Sequence, residues 1–181
     1  MTLRIGLLRH FPVSEQLPAG WRTADELAEW RAIYDRSETI VGPYDLAGID
    51  WQSCVASDLS RTIATAQRVF AGPFTTTPLL REPEFATFAT GRLRLPLRAW
   101  QVVLQIAWLS GHRSQRDHRD DFRRRVSAVA DQLSAATRDT LVVSHAGMMA
   151  YLGRELCRRG FRGPTLRIAK HARAYVYTCP D

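Results

Sequence analysis

Apolar positions along the chain fall into short runs separated by polar, glycine- or proline-bearing stretches, and the period of each run predicts its element. Leu3 to Leu8 is nearly continuous and does not alternate, which predicts a strand covered on both faces. Thr23-Ala24-Asp25-Glu26 reads as a capping box, and a helix from there to about Asp35 is expected to bury Leu27, Trp30 and Ile33. Gly42-Pro43 and Gly48 then mark a loop. Cys54 to Ser57 predicts a second strand. A helix capped by Asp58 or Ser60 follows to about Phe70, with Ile63, Ala66 and Phe70 inward, and Thr75 to Leu79 predicts a third strand.

Residues 82–96 show no period, only Pro83, Gly91 and Pro96 among arginines, and read as a long loop or lid. Trp100 to Leu109 is apolar on most sides and predicts a mostly buried helix. Between Arg119 and Ala136 the stripe Phe122, Val126, Val129, Ala130 and Leu133 stands clear of Arg119, Arg123 and Arg124. Thr140 to Ser144 is a strand, Gly147 to Arg159 a helix stopped by Gly160, and Ala174 to Thr178 a last strand. Strands alternating with helices imply an α/β sandwich around a largely parallel sheet.

Composition narrows the picture. With 181 residues, 45% of them hydrophobic, the chain suffices for one domain with a full core. No apolar run approaches the ~20 residues of a membrane span. The start has no charged region followed by a long apolar stretch, so a cytoplasmic protein is expected. Cys54, Cys157 and Cys179 match no metal or redox spacing and suit a reducing compartment; Cys54 and Cys157 are read as core residues. The net charge of +7 is almost all arginine, since Lys170 is the sole lysine. Arginine suits anionic partners and single phosphate groups. No nucleic-acid-binding signature accompanies it, and neither a nucleic-acid nor a membrane partner is expected.

Two histidines occupy equivalent places: His10 follows the first strand and His145 the strand Thr140 to Val143. In open α/β sheets, groups just beyond the carboxyl ends of strands share one crevice. His145 also precedes a helix start, where backbone N–H groups favour anions. Arg9 adjoins His10, and Arg61 opens the helix after Ser57. Two guanidiniums beside two imidazoles make an anion cradle. The chain has no Gly-x-x-x-x-Gly-Lys-Ser/Thr loop, no Cys-x-x-x-x-x-Arg loop and no Gly-x-Ser-x-Gly elbow. Histidines 10, 112, 118, 145 and 171 do not fall at zinc-ligand spacings. His112 and His118 are expected to face solvent, and His171 receives no role.

These strings resemble the histidine phosphatase superfamily, also called phosphoglycerate-mutase-like. Leu8-Arg9-His10-Phe11 is similar to its Arg-His-Gly opening. Ser57 to Ala66 matches Ser-x-Leu-x-Arg-x-x-x-Thr-Ala, Leu79-Leu80-Arg81-Glu82 its acidic residue after a Leu pair, and Ser144-His145-Ala146-Gly147 its Ser-His-x-Gly. The resemblance implies a single domain over residues 1–181. Its fold would be α/β, a three-layer sandwich with a largely parallel central sheet flanked by helices, phosphoglycerate-mutase-like. It further implies a metal-independent phosphomonoesterase acting on a phosphorylated small molecule, with no cofactor. His10 would attack phosphorus and become a phosphohistidine, with its other ring nitrogen donating to a fixed acceptor such as a backbone carbonyl. Arg9, Arg61 and a protonated His145 would hold the phosphoryl oxygens. Glu82 would be the general acid, with an elevated pKa, and Glu84 its rival.

Phe11 departs from the family's glycine and is expected to form a bulky apolar wall beside His10, with Pro12 removing an N–H and Ser14 serving as a small polar phosphate contact. Arg92, Arg94, Arg98, Arg113 and Arg116 are expected to flank the site and take further anionic groups. A phosphoglycerate-type mutase and a non-catalytic phospho-ligand binder are the alternatives. The chain is short for a mutase and offers no long tail to cover the site, which favours hydrolysis.

Overall fold

Ile5, Leu7 and Leu8 are fully buried on strand β1 (Leu3–Arg9), as a strand with both faces covered requires. The computed structural model describes residues 2–15, 19–86 and 90–180. After β1 come β2 (Trp21–Arg22), α1 (Ala24–Asp35), β3 (Ser53–Ser57), α2 (Ser60–Val69) and β4 (Thr75–Thr77). Then follow β5 (Leu95–Pro96), α3 (Leu97–Ser110), α4 (Arg116–Ser134), β6 (Thr140–Ser144), α5 (Ala146–Arg158) and β7 (Ala174–Cys179). The central sheet runs β4-β3-β6-β1-β7. Its first four strands are parallel, and β7 closes one edge antiparallel to β1.

Each sheet face carries its own core. Ile5, Leu7, Val142 and Tyr177 meet α4 and α5 through Phe122, Val126, Val129, Met149 and Leu152. On the other face Leu8, Cys54, Ala56, Leu141 and Val143 meet α2 through Ala66 and Val69. The result is a mostly parallel central sheet flanked by helices. Gly6 is required within β1, because a Cβ there would sit 2.5 Å from the Trp51 ring. Among the described residues no helix is long and apolar enough to cross a membrane.

Several expectations need correction. The capping box of α1 forms, Thr23 Oγ1 accepting from Glu26 N–H and Glu26 Oε2 from Thr23 N–H. Its apolar stripe does not all turn inward: Ile33 is 58% exposed, and Ala24 is the buried residue of the helix. Neither Asp58 nor Ser60 caps α2. Leu59 is the N-cap without a side-chain bond, while the Asp58 carboxylate is engaged by Arg81. The inward face of α2 carries Thr62 and Thr65 beside Ala66, since their hydroxyls donate to the carbonyls of Ser57, Leu59 and Arg61. β4 ends at Thr77, where Pro78 opens a 3-10 turn to Leu80. In α3, Val102, Ile106 and Leu109 are exposed, so that helix is buried on one side only. Of the loop over residues 82–96, residues 87–89 lie outside the described residues, and its end pairs as β5 with β2. All three cysteines are free; Cys54 is buried, its thiol pushed up to about 12 by burial, but Cys157 is exposed.

Candidate active site

Parallel pairing of β1 with β6 sets Arg9 opposite Ser144, so the next residue of each strand, His10 and His145, emerges side by side. His10 N–H donates to Ser144 O at 3.0 Å, and the two rings meet edge to face at 5.2 Å between centroids. Both imidazoles are almost wholly buried, at 3% and 1% exposure. His10 Nδ1 lies 2.6 Å from the Phe11 carbonyl oxygen. That contact fixes the Nδ1–H tautomer and leaves Nε2 as the ring nitrogen with a lone pair.

Arg61, in the first turn of α2, is buried to 3% exposure. Its Nη1 donates to Asp35 Oδ1 at 2.9 Å, and its guanidinium lies over the Tyr34 ring. Arg9 Nη1 donates to Ala169 O at 2.9 Å. The Nε atoms of both arginines and both ring nitrogens of His145 are buried with no partner among the described residues. An unpaired buried donor or acceptor costs about 1–3 kcal/mol, so four in one place mark a ligand site rather than a core.

Glu82 reaches the same place from the loop after the 3-10 turn, its Oε1 accepting from Gly147 N–H at 2.7 Å. Three anchors hold that loop. Ser144 Oγ donates to Leu80 O, Arg81 clasps Asp58 with two bonds, and Arg125 donates to the carbonyls of Leu79 and Arg81. The serine of the Ser-His-x-Gly string is therefore a tie between β6 and the Glu82 loop.

Burial pushes the His10 pKa down to about 3; the Phe11 carbonyl opposes this, and Arg61, His171 and Arg9 add to it. His145 is held well below the ordinary histidine value, first by burial and then by Arg61, His10, Arg9 and Arg31. Burial and these neighbouring cations thus favour the neutral His145 ring while no anion is bound. Glu82 moves the other way, its carboxyl raised by burial against the opposing pull of Gly147 N–H and the Arg9, Arg31 and Arg61 charges.

Arg9, His10, Arg61, Glu82 and His145 line one cavity of about 590 Å³. A neighbouring cavity of about 630 Å³ shares Arg61 and Glu82 with it but does not reach either histidine. Glu84 lines only that neighbour and a smaller one, and is exposed, whereas Glu82 shares the cavity of His10. Phe11 does not wall the site. Its N–H donates to Thr65 Oγ1, and its ring enters the α2-side core at 1% exposure. Ser14 is exposed, its N–H bonded to Glu38 O, and does not line the cavity. The arginines at 92, 94, 98, 113 and 116 are all exposed and line neither cavity, and Arg94 pairs with Glu26.

Four residues that sequence reasoning passed over belong here. Arg31, Tyr34 and Asp35 reach the cavity from α1 together with Leu27, spaced i, i+4, i+7 and i+8, a helical face on which the polar members mask the period. His171 has its Nδ1 2.7 Å from His10 O and its ring 5.2 Å from the His10 ring. Only the pairing of β7 with β1, and the left-handed Ala172 (φ 53°) after it, bring that histidine across; no local string announces it. Among the described residues no three or more His, Cys, Asp or Glu group as metal ligands would.

The family model described as histidine phosphatase superfamily (branch 1) matches residues 42–177, a stretch that holds Arg61, Glu82 and His145 and begins after Arg9 and His10. Among solved structures the chain is similar to a phosphoglycerate mutase from Bacillus anthracis str. Sterne. The TM-score is 0.60 and the identity 16%, over 98% of this chain and 88% of that one. A second similarity, with a TM-score of 0.49 and 20% identity over 85% of this chain and 79% of the other, is to an Escherichia coli K-12 protein provisionally named an alpha-ribazole-5'-P phosphatase. At such identities the likeness is one of fold. No curated protein matches the chain in sequence.

Proposed function

Because the chain belongs to the histidine phosphatase superfamily, whose members are phosphatases and mutases, we propose that it is a metal-independent phosphomonoesterase acting through a phosphohistidine on His10. One observation carries this reading: two buried imidazoles and two arginines with unpartnered nitrogens line one cavity with a carboxyl whose pKa is raised.

With Nδ1–H committed to Phe11 O, the His10 Nε2 lone pair attacks phosphorus as the bond to the leaving oxygen breaks. Glu82, whose carboxyl burial shifts toward the protonated form, gives that oxygen its proton. The resulting carboxylate then takes a proton from water, whose oxygen attacks phosphorus. The phosphorus–nitrogen bond breaks, His10 is restored neutral, and inorganic phosphate leaves. Arg9 and Arg61 hold the equatorial oxygens throughout, where charge is spread in the transition state. An incoming phosphate dianion offsets the neighbouring arginines, so that His145 takes up a proton with the substrate and donates to it.

A mutase returns the phosphoryl group to a carboxylate-bearing acid, and the exposed arginines that would serve such an acid stand away from the cavity. Hydrolysis is the reading this supports. We also place the protein in the cytoplasm, where its three free thiols would persist. The test is phosphate release from p-nitrophenyl phosphate with EDTA present, for the wild type and His10→Ala. Release in the wild type and none above background in the variant is expected. Full release by the variant would remove His10 as nucleophile. No release from the wild type, with inorganic phosphate still raising its Tm, would make the protein a binding domain.

A further inference from the structure

We infer that, on the phosphatase reading above, this site selects phosphomonoesters whose leaving group is apolar or aromatic and carries no second anionic group. The cavity, at about 590 Å³, lies within the roughly 300–1,000 Å³ range of small-molecule sites and is far larger than a phosphoryl group needs. Its most buried lining residues are His10, Arg61 and His145, which form the phosphate end. Most of the apolar part of the remaining wall is Leu27, Trp30 and Tyr34 from α1, Phe85 from the loop, and Leu97 and Leu104 from α3.

The aromatic part of this wall starts at the phosphate end and leads away from it. The Arg61 guanidinium lies 5.1 Å from the Tyr34 ring centroid, and Tyr34 lies 5.3 Å from Trp30 with a 41° tilt. A ring attached a few bonds from phosphorus would lie along these two.

Charge on the rest of the wall argues the same way. Its polar members Gln101 and Gln105 are neutral. Beyond the cradle the charged lining residues are Arg31, one of whose Nη atoms donates to Pro83 O, and Glu15, with Asp35 held by Arg61. One cation against one anion gives a carboxylate or second phosphate no net attraction. Apolar wall left to water, by contrast, gains from any apolar group that covers it.

The experiment uses three phosphates of primary alcohols, so that leaving-group chemistry is matched: 3-phenylpropyl phosphate, glycerol 1-phosphate and 3-phosphoglycerate. We expect kcat/KM to favour the phenylpropyl ester over 3-phosphoglycerate by about tenfold or more, the effect of burying a few methylene-sized groups. Trp30→Ala should shrink that ratio severalfold, and Leu27→Arg, which puts a cation into the wall at a half-buried position of α1, should reverse it. A wild-type ratio at or below one, or a ratio that neither variant moves, would overturn the inference while leaving hydrolysis standing. Binding of 4-phenylbutylphosphonate and 3-carboxypropylphosphonate, measured by calorimetry, separates the two readings. If no ester is hydrolysed, tighter binding of the phenyl compound by about tenfold upholds the ligand class without the phosphatase. Equal binding of the two overturns the ligand class as well.

Discussion

His171 touches His10 twice, at the carbonyl oxygen and at the ring edge, and it does so without lining the cavity. Burial depresses its pKa and the His10 carbonyl pulls it back up, so near neutrality it is an uncharged ring donating through Nδ1. Ala172 beside it sits at φ 53°, a conformation that costs an L-residue on the order of 1 kcal/mol and is kept where the surroundings demand it. Its N–H is spent on Arg9 O, one residue before the nucleophile. These two bonds offset the strain and hold His171 in register with β1, and His171 is a positioning residue for the His10 ring. His171→Ala is expected to lower kcat about tenfold or more, the order found when a reacting group is misplaced by a fraction of an ångström, with KM little changed because Arg9 and Arg61 still hold phosphate. His171→Asn, whose amide N–H can reach the same carbonyl, should restore part of the loss. Equal kcat for the alanine variant and the wild type would show that the contact is packing alone.

The start of α5 is where an element, rather than a side chain, sets the chemistry. Gly147 gives its N–H to Glu82 Oε1 at 2.7 Å, and a Cβ added there would lie 2.7 Å from the same oxygen and 3.2 Å from Pro83 Cδ. Gly147→Ala is therefore expected to push the carboxyl outward into water. Glu82 has a raised pKa because it is buried, so kcat/KM should fall as pH rises through that raised value and the general acid loses its proton. With the carboxyl more solvated, the falling limb should move toward the ordinary glutamate range and kcat should drop. The measurement is a pH–rate profile on an alkyl phosphate, corrected for the substrate's own second ionisation near about 6. An unmoved limb would mean that Glu82 is not the acid. Stability should change little in that variant, since alanine is the better helix former by about 1 kcal/mol and offsets the contact. Elements differ in how far they could be read from sequence. The cap of α1 and the stripe of α4 were legible because both are local: Thr23 and Glu26 bond each other, and Phe122 to Leu133 repeat within one helix. The outer side of α3 and the exposure of Ile33 were not, because an apolar residue reveals its preference and not its neighbours. In the site, His10, Arg9, Arg61 and His145 follow from parallel strand ends and Glu82 from the family resemblance alone, whereas His171 depends on a pairing between chain positions 161 residues apart.

At the scale of the whole molecule, burying two neutral imidazoles ties stability to pH. His10 is pushed down to about 3 and His145 well below its ordinary value, so in acid the unfolded chain binds protons that the folded chain refuses. Stability that these groups leave intact above the unfolded value near about 6.5 is lost as pH falls from there toward the folded values, at up to about 1.4 kcal/mol per pH unit for each histidine. Glu82 acts oppositely: its raised folded pKa gives stability that is present in acid and lost as pH rises through that value. Two histidines against one carboxyl make the net slope favour neutral pH. A formal charge of +7, which grows on acidification, adds general repulsion on top of this. Comparing variants isolates the specific part, because the repulsion is common to all of them. Between pH 7 and pH 5 the wild type is expected to lose about 2 kcal/mol more than His10→Gln, which keeps the bulk of the side chain without its titration. Urea unfolding at the two pH values measures this directly. Parallel losses in the two proteins would mean that the His10 ring is solvated enough to protonate in place. In that event it would also be protonated, and unable to attack phosphorus, through much of the acid range in which Glu82 keeps its proton.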